Sequence, residues 1–113
     1  MKIINQTKNT ALAQNASIAC TTFERIKGLL GRKKLEGGEA LIIKSCNSIH
    51  TCFMQFPIDV LFLDRNNKVI RAISAMKPFR ISNIYLSAAS VIELPANTIQ
   101  NTSTSVGDLI SIE

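Results

Sequence analysis

CNSIHTCFMQFPIDVLFLD, residues 46–64, carries the strongest β signal in the chain. It divides at Pro57, which has no N–H to give to a strand ladder. The residues after it, IDVLFL (58–63), are β-rich and apolar on both alternations. Ile58, Val60 and Phe62 take one parity, and Asp59, Leu61 and Leu63 the other. Successive side chains of a strand point to opposite faces, so this strand must be covered on both sides. Residues 64–67, DRNN, form a turn cluster and 68–76 run back as a strand, so 58–76 reads as a hairpin. Residues 49–56, ahead of the proline, read as extended and two-sided.

Outward from this hairpin the chain keeps the same character. Residues 2–5 read as a short strand, 11–20 as extended and 40–44 (ALIIK) as an apolar strand. Residues 77–86 form a long connection containing Pro78, and 87–94 a strand ended by Pro95. A polar Thr/Ser/Asn loop over 96–107 leads to a last strand at 109–112. The one helix signal lies at 21–30. Thr21 and Glu24 make a capping box, and Phe23, Ile26, Leu29 and Leu30 form an apolar stripe that Gly31 can end. Short strands with regular turn punctuation and no βαβ alternation predict a mainly β domain. The expected form is a sandwich or small barrel of about seven short strands with one packed α-helix.

A chain of 113 residues, 46% of them hydrophobic, is expected to form a single domain over 1–113. No apolar run approaches the roughly 20 residues that a membrane helix needs, and the first residues lack the apolar centre of a signal peptide. A cytoplasmic location without a membrane partner is therefore expected. Three cysteines are a poor disulfide framework and fit reduced thiols.

The net charge is +5. Arg25, Lys27, Arg32, Lys33 and Lys34 concentrate much of it, opposed nearby only by Glu24. The cluster reads either as an anionic-partner patch, nucleic acid included, or as the solvated end of the predicted helix, where cations meet free carbonyls.

Chemistry-bearing residues cluster in the opening stretch. Cys46, His50 and Cys52 share a parity and could offer zinc three ligands, but their spacing matches no established zinc pattern. The alternative is that both cysteines are small buried residues, and no cofactor is expected. His50 could serve as a general base. Asp59 stands among apolar neighbours, where an unpartnered carboxylate is costly, and Arg25 is the expected partner. Glu93, in the apolar VIEL segment, poses the same question. Two inward carboxylates near one arginine would make a polar pocket. Asp64 and Asp108 read as turn caps, and Phe53, Met54, Phe56 and Phe62 as core. Among the aromatics, only Phe23 and the Phe79-Arg80 pair come near to a stacking platform beside basic charge.

Four blocks now stand in order: TTFERIKGLLGRKKL, ALIIKSCNSIHTCFMQFPIDVLFLDRNNKVI, VIELPA and VGDLI. Together they resemble the domain of unknown function 192 family over nearly the whole chain after Ser17. The matching positions are Glu24, Arg25, Gly28 and Leu29, then Ile49, His50, Thr51, Met54, Pro57, Ile58 and Asp59, then Glu93-Leu94 and Gly107-Asp108. Leu30 replaces a methionine of the family pattern, and Asn97 stands where glycine is frequent; asparagine tolerates the left-handed conformation. The resemblance implies a jelly-roll-like β domain and no activity, cofactor or partner.

The favoured expectation is a binding or accessory module with Arg25, His50, Met54, Asp59 and Glu93 as ligand-binding candidates. One alternative is a small hydrolase-like enzyme using His50 with Asp59 or Glu93. Another is nucleic-acid binding through the basic residues between Arg25 and Lys34.

Overall fold

The computed structural model describes residues 1–19, 35–51 and 54–113. Its strands in chain order are β1 (Ile3–Asn5), β2 (Thr10–Ala13), β3 (Asn15–Ala19), β4 (Glu39–Lys44), β5 (Ile58–Leu63), β6 (Val69–Met76), β7 (Ser90–Pro95) and β8 (Ile110–Ile112). One short helix, α1 (Thr98–Asn101), follows β7. These strands form a three-stranded sheet in the order β2-β1-β8 and a five-stranded sheet in the order β3-β4-β7-β5-β6. The mainly β expectation holds in its sandwich form, since two separate sheets replace the barrel alternative.

β5 takes the central role its sequence demands. All six of its residues are buried, and it pairs antiparallel with β6 on one side and β7 on the other. Leu61 and Leu63 join Ile42, Ile92 and Leu94 in a core that also takes Ile3, Leu12 and Ile110 from the smaller sheet. This is the layer between the sheets. Ile58, Val60 and Phe62 point the other way, into a second cluster with Leu41, Ile43, Val91, Ile49, Met54 and Phe56. The expected core roles of Met54, Phe56 and Phe62 are observed; Phe53 lies outside the described residues.

Three local expectations are corrected. Residues 49–56 form no strand among the described residues; pairing there is an isolated bridge between His50 and Ile81. The polar loop at 96–107 contains α1, whose only buried residue is Ile99, too little to leave an amphipathic pattern. β3 and β4 run parallel, with Asn15 opposite Glu39 and Ala19 opposite Ile43. A parallel pair needs a crossover rather than a tight turn, and the connecting stretch carries the predicted helix of 21–30, which lies outside the described residues.

Turn chemistry follows the sequence closely. The Asp64 Oδ1 accepts the N–H groups of Asn66 and Lys68 at 2.9 and 3.0 Å, closing the β5–β6 hairpin. Asn97 takes φ 77°, as its place in the family pattern implied, and turns the chain from β7 into α1.

Candidate functional site

Asp59 is fully buried, and backbone N–H groups hold both of its carboxylate oxygens. The N–H of Ala75 donates to Oδ1 and that of Ile99 to Oδ2, each at 2.8 Å. The first contact explains an irregularity in the sheet. Ile58 faces Met76 while Val60 faces Ile73, so two residues of β6 oppose Asp59 alone. This is a bulge, with Ala75 at φ 49°, and the carboxylate takes up the N–H that the bulge turns inward. The second contact caps α1. Asn97 makes no side-chain cap bond to the helix, and Asp59 accepts the N–H two residues further on in its place. The predicted partner Arg25 lies outside the described residues.

Glu93 is also fully buried, but it faces the other way. Cross-strand register sets Asp59 opposite Leu94 and Glu93 opposite Val60 and Leu41. Paired residues of neighbouring strands share a face, so Asp59 points into the layer between the sheets and Glu93 into the second cluster. The expected pocket combining both carboxylates is therefore corrected. His50 is half-buried, flanked by Ile49 and near Met54 in sequence, both members of that second cluster. His50, Met54 and Glu93 thus belong to one side of the five-stranded sheet and Asp59 to the other.

The remaining candidates fall into two groups. Cys46 is half-buried and its thiol donates to the Ser48 carbonyl at 2.9 Å. Cys52 and the basic residues Arg25, Lys27, Arg32, Lys33 and Lys34 lie outside the described residues. Among the described residues, no three histidine, cysteine or carboxylate side chains converge as a metal site would require.

Thr51, buried beside His50, organises what the sequence left as a plain connection. Its hydroxyl donates to the Lys77 carbonyl at 2.6 Å and accepts the Arg80 N–H at 2.9 Å. Its own N–H donates to the Arg80 carbonyl, and its carbonyl accepts the Phe79 N–H. Further bonds run from Ser82 N–H to the Ile49 carbonyl and from Tyr85 N–H to the Asn47 carbonyl. The Tyr85 ring packs on Phe62 with centroids 4.6 Å apart. The segment 77–86 is thereby fastened along 47–51. Its apolar side chains nevertheless point out: Phe79 is 65% exposed, Ile81 78%, Ile84 66% and Leu86 86%. At its end, Leu86 lines a groove of about 540 Å³ with Ser45, Asp64, Arg65 and Ser87. The available sequence signal was this run of apolar residues in a stretch that had no strand partner.

A polar hub lies elsewhere. Asp108 is buried and forms a salt bridge with Lys8 at 3.0 Å. It also accepts bonds from Asn5 Nδ2 at 2.9 Å and the Ser105 N–H at 3.0 Å. Burial pushes the Asp108 carboxyl up, but the bonds from Asn5, Lys8 and Ser105 and the Lys8 charge outweigh it, holding it below its ordinary value. The turn-cap expectation covers only its Ser105 bond.

Comparison with known proteins adds the family. The model of domain of unknown function 192, described as "Uncharacterized ACR", matches residues 3–112. The chain belongs to the DUF192 family. A UPF0127 protein of Thermococcus kodakarensis is 32% identical over 113 residues, covering 96% of this chain and 71% of that protein. The crystal structure of a Novosphingobium aromaticivorans protein of unknown function superposes with a TM-score of 0.83 at 17% identity, covering 99% of this chain and 84% of the other. A Sinorhizobium meliloti structure, from a protein proposed as a transcription regulator, superposes at 0.81 with 18% identity, covering 97% and 89%. At such identities the likeness shows the fold alone. Within the DUF192 signature, Thr51 fastens a loop, Asp59 closes a bulge and caps a helix, and Asp108 ties β1 to the segment before β8.

Proposed function

We propose that this DUF192 chain is a non-enzymatic binding module whose binding surface is the ridge formed by Phe79, Ile81, Ile84 and Leu86. The observation that carries this is an apolar row held out in water by a fastened backbone. Phe79 sits at φ 61°, a conformation that costs a bulky residue roughly 1–3 kcal/mol. Thr51 bonds to both sides of that position and holds it there. Exposed apolar side chains gathered in one place mark an interaction surface more readily than they serve a monomer.

The hydrolase alternative narrows to His50 with Glu93, because Asp59 is committed to the backbone. A catalytic carboxylate needs an oxygen in reach of substrate, and both Asp59 oxygens are taken by backbone donors. Glu93 and Asp59 cannot act together from opposite faces of the sheet.

The reading is tested on the full chain in two ways. A fluorescent apolar dye is expected to bind the native protein and to lose most of that binding in an Ile81→Ser/Leu86→Ser variant that melts normally. Undiminished dye binding would count against the ridge. A panel of ester, phosphoester and peptide substrates is expected to show no turnover; turnover abolished by His50→Ala would replace the binding reading with an enzymatic one.

A further inference from the structure

We infer that the ridge docks this protein onto an anionic lipid surface, with its apolar side chains entering the interface and the neighbouring cations meeting the headgroups. This rests on the ridge being the binding surface and names its partner.

Charge is the first argument. From Arg65 to Ile92 the chain carries five cations, Arg65, Lys68, Arg71, Lys77 and Arg80, and no carboxylate. All five are exposed. Lys77 and Arg80 lie within the ridge segment itself. Arg71 stands opposite Phe62, the residue on which Tyr85 packs, so it lies beside the base of the ridge. Arg65 lines the same groove as Leu86, with Asp64 beside it as the groove's one carboxylate. Cations interleaved with apolar side chains suit an anionic bilayer, where a short insertion and a basic patch together give the two signals that stable anchoring requires.

Shape is the second. The segment starts beyond Met76, which faces the first residue of β5, and ends at Leu86 beside Asp64, just after the last. It therefore crosses the whole length of the sheet. Side chains exposed by 65% to 86% stand proud of the surface. A protein partner would have to supply a matching trough, whereas a lipid interface conforms to a protrusion.

Backbone anchoring is the third. Polar groups entering an apolar medium must already be bonded. The N–H groups of Phe79, Arg80, Ser82 and Tyr85 donate within the protein and hold the segment's backbone against it, whereas those of Ile81, Ile84 and Leu86 donate to none of the described residues, so insertion is confined to the side chains. The lack of a membrane-spanning run has no bearing on such docking, because a surface anchor lies on the bilayer without crossing it.

The test is co-sedimentation of the full chain with vesicles of phosphatidylcholine alone or containing about one-third phosphatidylglycerol, at low and at physiological salt. Binding to the anionic vesicles that weakens with salt is expected. Ile81→Ser/Leu86→Ser should weaken it at least about tenfold, and so, independently, should Lys77→Glu/Arg80→Glu. Both variants are checked for an unchanged melting temperature, and Leu86→Ser alone stands in if the double variant misfolds. Absence of binding to either vesicle overturns the lipid partner but leaves the dye result, and with it the ridge, standing. Binding that ignores the serine substitutions overturns insertion. A wild-type dimer that dissociates on the serine substitutions in sedimentation equilibrium assigns the ridge to a second copy and overturns the inference.

Discussion

Asp59 Oδ2 accepts the backbone N–H of Ile99 at 2.8 Å, joining the interior strand β5 to a helix 40 residues further along the chain. With its other oxygen on the Ala75 N–H, one buried carboxylate holds together a bulge and a helix start. The Ile99 bond is buried, so that N–H has no water to turn to if the carboxylate is removed.

Asp59→Asn keeps the shape but turns an amide N–H₂ toward one of two N–H donors. A loss of about 2–4 kcal/mol is expected, with Asp59→Ala at least as damaging. Urea denaturation measures it; a loss under about 0.5 kcal/mol would show that the two bonds are dispensable.

Thr51→Val should destabilise by about 1–3 kcal/mol, since it strips a donor from Lys77 and an acceptor from Arg80. The Arg80 amide should exchange with solvent much faster while amides of β5 stay protected. Thr51→Ser should retain most of the wild-type protection. Equal exchange in all three proteins would mean the loop is held by other contacts.

Asp108 makes the stability depend on acid. Its folded carboxyl titrates below the ordinary aspartate value, so its contribution is complete above about pH 4 and is lost as pH falls through the lowered value. Asp108→Asn should be less stable at neutral pH and flatter across that acid window. Parallel pH–stability curves for the two proteins would remove Asp108 from this role.

Ile81→Ser/Leu86→Ser should change stability by no more than about 0.5 kcal/mol, because both side chains already stand in water. Leu61→Ala, in the layer between the sheets, should lose about 2–5 kcal/mol. A large loss in the ridge variant would show that Ile81 and Leu86 pack in solution.

Features that depend on alternation and on near neighbours are legible in the residues. The two apolar parities of residues 58–63 required a strand covered on both sides, and β5 is that strand. Asp64 within DRNN required a capped turn, and Asn97 was suited to the left-handed corner it occupies. The partners of Asp59 and its separation from Glu93 come from the folded arrangement instead. Those depend on how β5, β6 and β7 are registered, and a shift of one residue would exchange the faces. The same holds for α1, whose four residues carry one buried side chain and whose start is capped from a distant strand. It holds too for the ridge, because apolar residues in a connection look alike in sequence whether they turn inward or stand in water. Thr51, 26 residues upstream of Lys77, contributes the bonds that hold the ridge segment in place.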